Sequence, residues 1–265
     1  MTIKTKFQEK LDKATKKNNS LLCVGLDTDL EKLPQHLKAE KEPIFTFNKS
    51  IINATADVVC AYKLNIAFYE AYGLDSLKQL KKTIEYLHFS FGHIPIILDA
   101  KRADVPNTAK MYAKAMFEYW DADAVTILPF LGKDSVEPFF EYKDKSPIII
   151  IKTSNKDAST FENIHTAEEV KKWMFPNIAL FVGATDPEAL KNVRTLFPKS
   201  PILTAGIGAQ GASIEKAVTA GIDKNGNNLI CNSSREIIYA GKDADFVEKA
   251  CQKACEMRNI INSYR

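Results

Sequence analysis

Pro95-Ile96-Ile97-Leu98-Asp99-Ala100-Lys101 is a short, mostly apolar run that ends in two charged residues. Its length suits a β-strand, and a strand this apolar is one covered on both faces, as in a parallel sheet. Segments of the same kind recur outward from it in both directions. Upstream lie 21–26 (LLCVGL) and 58–65 (VVCAYKLN). Downstream lie 124–130 (AVTILPF), 147–154 (PIIIIKTS), 178–185 (IALFVGAT), 201–208 (PILTAGIG) and 228–234 (NLICNSS). Between them the apolar residues take on helical spacing, most clearly over 46–56, 75–89, 107–120, 167–175, 187–197 and 212–220. One further helix, 5–17, precedes the first strand, and another, 243–264, closes the chain. Asp75 and the pair Asp186-Pro187 read as helix starts, because Asp favours the N-cap and Pro the first helical position.

Eight strands alternating with about eight helices predict right-handed βαβ units throughout. Such units close either as an open doubly wound sheet or as a barrel. The 265 residues contain no Pro/Gly/Ser-rich linker and no break in composition. Eight strands in that length match the roughly 250 residues typical of a barrel. The expected architecture is therefore an α/β (β/α)₈ TIM barrel. Residues 1–265 are read as one domain, with an N-terminal helix ahead of strand one.

Composition narrows the function. The chain carries 36 Lys+Arg against 33 Asp+Glu, a formal charge of +3, which gives no basis for a nucleic-acid or membrane-surface partner. No apolar run reaches the roughly 18 residues of a membrane span. The first 17 residues are polar and lysine-rich, unlike a signal peptide. Cys23, Cys60, Cys231, Cys251 and Cys255 form no CxxC pair, so a reduced, cytoplasmic protein is expected. His36, His88, His93 and His165 are scattered without zinc-ligand spacing, and no metal is expected.

In a barrel the active site sits at the C-terminal ends of the strands, which turns the polar strand ends into candidates. Asp99 and Lys101 are two residues apart and so project to one face of strand three. Asp104 follows on the loop. Lys63 ends strand two and Asp27 ends strand one. Lysines set among carboxylates keep their charge, since each cation gains nearby negative charge, and a protonated lysine so held is a proton donor. An ion cluster that merely plugs the barrel mouth is the competing reading. Buried ion pairs often fail to recover their desolvation cost, which argues against that use. Thr153 and Ser154 end strand five. The run 203–211 (LTAGIGAQG) before a helix, with Arg235 just after strand eight, suits a phosphate.

The segment 98–108 (LDAKRADVPNT) closely resembles the DxKxxDxxxT signature of the orotidine 5′-phosphate decarboxylase family. Cys23–Asp27, 126–137 (TILPFLGKDSVE), 152–155 (KTSN) and 182–185 (VGAT) resemble that family too, and the last three its longer bacterial subgroup. The resemblance implies a homodimeric barrel that decarboxylates orotidine 5′-monophosphate to uridine 5′-monophosphate without metal or organic cofactor. It casts Lys101 as proton donor to C6 of the pyrimidine and sets Asp99 against the departing carboxylate. Asp104 and Thr108 would reach the neighbouring subunit's site. Asp27 and Lys63 would hold the ribose, and Ser154 or Thr153 the pyrimidine edge. Gln210 and Arg235, with backbone at Gly206 and Ser234, would hold the phosphate. Ala205 stands where the family usually has proline. The nearest rival is a magnesium-dependent sugar-phosphate barrel that shares the DxK strand. A barrel that only binds a nucleotide is the second.

Overall fold

The structure, a computed structural model, describes residues 4–160, 162, 164–207 and 213–265. Eight strands lie parallel in sequence order: β1 (Leu22–Gly25), β2 (Ala61–Asn65), β3 (Ile96–Arg102), β4 (Ala124–Ile127), β5 (Ser146–Lys152), β6 (Ala179–Val182), β7 (Ile202–Ala205) and β8 (Leu229–Ser233). β8 pairs with β1 through Cys23 and Asn232, and this pairing closes the barrel.

Side chains alternate between the two faces of each strand, so the barrel divides its apolar residues into two cores. Cys23, Ala61, Ile97, Ala124, Ile148, Ala179, Leu203 and Ile230 meet inside the barrel. Their neighbours, among them Val24, Tyr62, Leu98, Val125 and Ile149, pack outward against the helices. Two residues further along each inner row stand Gly25, Lys63, Asp99, Thr126, Ile150, Phe181, Ala205 and Asn232. On β2, β3, β4 and β8 the inner row therefore turns polar toward the C-terminal ends, through Lys63, Asp99, Thr126 and Asn232, and this change creates the site.

The other end is closed by the N-terminal helix Lys6–Asn18, which drives Phe7 and Leu11 into the inner core. A capping box formed by Thr5 and Gln8 starts this helix, and Lys10 Nζ anchors it 2.7 Å from Asp123 Oδ1. The expected helices are present with shifted ends. Pro43–Thr55, Ile164–Lys172, Pro187–Leu196, Ile214–Gly221 and Phe246–Asn262 correspond to five of them. Asp75 does not start its helix; Gly73, at φ +74°, does, and Asp75 lies in the first turn. The helix expected over 107–120 runs as α-helix from Pro106 to Lys114, then widens into a π turn over Ala115–Tyr119. Among the described residues no helix is long and apolar enough to cross a membrane.

Candidate active site

A cavity of about 230 Å³ opens at the C-terminal end of the barrel. Asp27, Lys63, Asp99, Lys101, Thr153, Ser154, Gly206, Ser234 and Arg235 all line it. Gln210 lies outside the described residues. Asp104 and Thr108 are not among the cavity's lining residues; the Asp104 carboxylate accepts the Val105 N–H at 2.7 Å.

Four charged groups form a continuous row across the cavity floor. Lys63 Nζ lies 3.2 Å from Asp27 Oδ1 and 3.2 Å from Asp99 Oδ2. Lys101 Nζ lies 2.6 Å from the other oxygen of Asp99, Oδ1. Lys63 is almost fully buried, while the Lys101 side chain remains half exposed toward the cavity. Burial works against the Lys63 charge, yet Asp27 and Asp99 outweigh it and raise the pKa well above an ordinary lysine. Burial likewise opposes charge on Asp99. Lys63 and Lys101, with hydrogen bonds from Lys101 and Thr126, overcome it and hold the carboxyl well below its usual range.

Simple strand alternation, which predicted that Asp99 and Lys101 share a face, is not how they meet. β3 pairs with β4 at Leu98–Val125 and next at Arg102–Ile127, so four residues of β3 span two of β4. Within this bulge Lys101 adopts φ +49°, the left-handed region, which disfavours a side chain by roughly 1–2 kcal/mol. The Thr126 hydroxyl accepts the N–H groups of both Ala100 and Lys101 at 3.0 Å. It donates in turn to Asp99 Oδ1 at 2.9 Å. Arg102 donates to the Ala100 carbonyl at 2.6 Å and to Glu70 at 2.9 Å, which directs its own charge away from the row.

The rest of the rim is positioned as firmly. Tyr69 donates to the Leu26 carbonyl at 2.8 Å, and the Tyr239 hydroxyl accepts the Asp29 N–H at 2.7 Å, so the loop carrying Asp27 is held on both sides. Gly25 lies so close to β8 that a Cβ there would meet Ser234 Oγ at 1.9 Å. At the end of β5, Glu162 accepts both the N–H and the hydroxyl of Thr153, at 2.6 and 2.9 Å. Of the two neighbours, Ser154 is the one whose hydroxyl Glu162 does not engage. Gly206 turns the chain with φ +92°, a conformation glycine adopts without steric penalty.

Sequence reasoning passed over Asn232 and Phe181, which also line the cavity. Both follow an inner-core residue by two, so the period of the strand was the available signal. Glu162 gave none, because its role depends on a loop folding back onto β5.

A sequence model described as the orotidine 5′-phosphate decarboxylase / HUMPS family matches residues 20–250. The orotidine 5′-phosphate decarboxylase of Christiangramia forsetii is 48% identical over 257 residues, covering 93% of this chain and 94% of that one. That of Dechloromonas aromatica is 44% identical over 270 residues, covering 98% and 99%. The structure of Leishmania donovani OMP decarboxylase matches with a TM-score of 0.80 at 32% identity, covering 97% of this chain and 99% of that one.

Proposed function

The chain belongs to the orotidine 5′-phosphate decarboxylase / HUMPS family, and from that membership we propose that it is the carboxy-lyase converting orotidine 5′-monophosphate to uridine 5′-monophosphate and CO₂. The reaction completes the assembly of a pyrimidine nucleotide. The observation that carries this reading is the Asp27–Lys63–Asp99–Lys101 row in a cavity that also holds Arg235.

The chemistry follows from those groups. The bond from C6 to the carboxylate breaks, CO₂ leaves, and the electron pair stays on C6. Lys101, as an ammonium, stabilises that developing charge and then transfers a proton from Nζ to C6, with no organic electron sink required. Asp99 faces the departing carboxylate and holds Lys101 in place. Lys63, itself fixed by Asp27 and Asp99, keeps the row balanced, and the pair Asp27 and Lys63 takes the ribose hydroxyls. Arg235 and Gln210, with backbone at Gly206 and Ser234, take the phosphate. Phosphate contacts remote from C6 close the site and contribute to lowering the barrier. Because Glu162 already engages the Thr153 hydroxyl, Ser154 is the better partner for the pyrimidine edge.

The proposal extends to a cytoplasmic homodimer in which Asp104 and Thr108 serve the neighbouring subunit's site. Both stand just past β3 and outside their own subunit's cavity, which suits that role. No metal is assigned.

The test is the ultraviolet absorbance change on adding orotidine 5′-monophosphate to the protein and to Lys101→Ala, each with and without EDTA. Turnover by the unaltered protein that persists in EDTA and collapses in the variant is expected. Absence of turnover overturns the reading and leaves the magnesium-dependent sugar-phosphate reaction standing. Loss of turnover in EDTA overturns the metal-free mechanism, and equal turnover in both proteins overturns the role of Lys101.

A further inference from the structure

We infer that Thr126, which does not line the cavity, is a positioning residue for Lys101 and Asp99: its hydroxyl locks the β3 bulge that delivers the ammonium to the site. The inference rests on the decarboxylase reading above. Thr126 lies on the inner row of β4, fully buried, one strand away from the residues it serves. A hydroxyl has one proton to donate and two lone pairs to accept with. Thr126 uses all three: it receives the Ala100 and Lys101 N–H groups and gives its proton to Asp99 Oδ1.

Each contact controls a different variable of the site. The two N–H groups belong to the bulge, where the register shift takes β3 out of its regular ladder with β4. Satisfying them from a neighbouring strand keeps Lys101 at its left-handed φ rather than letting the segment relax into regular strand. The donated bond selects the rotamer of Asp99, so that Oδ1 faces Lys101 and Oδ2 faces Lys63. One side chain thus sets where both reacting-site charges stand. Among the described residues its hydroxyl reaches the site's charged groups through Asp99 and Lys101, so it shapes the transition state more than the grip on ribose and phosphate.

Thr126→Val keeps shape and removes the hydroxyl, while Thr126→Ser keeps the hydroxyl and removes a methyl. The expected result is a kcat lower by about 10–100-fold in Thr126→Val, the range for an ångström-scale misplacement of a reacting group. KM and the dissociation constant for uridine 5′-monophosphate stay within about threefold, and Thr126→Ser recovers most of the loss. A purely structural role would lower the melting temperature and leave kcat per folded site unchanged. The inference is overturned if kcat of Thr126→Val stays within about threefold of the unaltered protein. It is overturned equally if the loss lies in KM and nucleotide binding, or if Thr126→Ser is as slow as Thr126→Val. Where Thr126→Val does not fold, Thr126→Ala against Thr126→Ser is read by the same criteria. Amide hydrogen exchange over 98–102 separates the two hypotheses. Faster exchange in Thr126→Val than in Thr126→Ser supports the lock even in a protein without turnover, which sinks only the decarboxylase reading. Equal exchange overturns the lock whatever the turnover.

Discussion

Lys101 Nζ rests 2.6 Å from Asp99 Oδ1, and it does so from a backbone held in the left-handed region. Asp99 is thereby shared between two lysines, one at each carboxylate oxygen, and one of the two is buried. The half-exposed lysine is the one free to meet a substrate, and the buried one fixes its partner.

That asymmetry predicts different consequences for the two lysines. Lys101→Ala removes the ammonium from the cavity side and relieves no packing, so the protein folds. Decarboxylation falls by at least about 10³-fold, the combined scale of lost charge stabilisation and lost proton donation. Steady-state turnover beside a thermal melt checks both halves of this expectation.

Lys63→Met carries a stability penalty instead. It leaves Asp27 and Asp99 facing each other across an apolar side chain, and breaking a buried ion pair costs about 3–5 kcal/mol. Chemical denaturation at neutral pH should report a loss of that size. The raised pKa of Lys63 means that its contribution is complete below the unfolded value of 10.5 and is lost as pH rises through its folded value. The stability gap between the unaltered protein and Lys63→Met therefore narrows above pH 10.5. A gap constant from pH 7 to 12 would contradict the assignment.

Asp99 predicts the opposite limb. Its folded pKa is depressed, so its contribution is complete above the unfolded value of 3.8 and is lost as pH falls below it. In that acid window the unfolded chain binds a proton that the folded one does not, and the slope of stability with pH is positive. Asp99→Asn removes this source of slope. Denaturation series run from pH 6 down to 2.5 on both proteins should show the unaltered protein losing stability more steeply once the pH drops below 3.8.

Much of this site was legible because its residues sit at the ends of apolar runs. In 95–101 the change from Leu98 to Asp99 marks both the strand and the point where it reaches the cavity, and Lys63 and Asp27 follow the same rule on β2 and β1. The bulge at Lys101 was not legible, because it is set by a hydroxyl on the adjacent strand 25 residues away. A period of two gave the right neighbours there for an incomplete reason. Helix ends moved for local reasons: Gly73 accepts a positive φ that starts its helix before Asp75. The π turn over Ala115–Tyr119 had no composition to announce it. The role proposed for Asp104 lies in a neighbouring subunit's site, which one strand's pattern does not reveal.

Gly25 offers the sharpest steric test of the rim. A Cβ at this position would stand 1.9 Å from Ser234 Oγ and 2.9 Å from Ser234 Cβ, closer than side chains tolerate. Gly25→Ala therefore pushes β1 and the turn after β8 apart, at a cost of about 1–3 kcal/mol in stability. Ser234 stands beside Arg235, so the displacement reaches the end of the cavity proposed to take the phosphate, while Asp99 and Lys101 sit on β3, two strands away from β1. The loss should appear as a raised KM for orotidine 5′-monophosphate, with kcat less affected. The two atoms nearer than 3 Å belong to the Ser234 side chain, with Asn232 Oδ1 next at 3.1 Å, so Ser234→Gly in the same protein should restore most of the stability. A double-mutant cycle of melting temperature and KM measures that coupling, and strict additivity would show that the clash is not what Gly25 avoids.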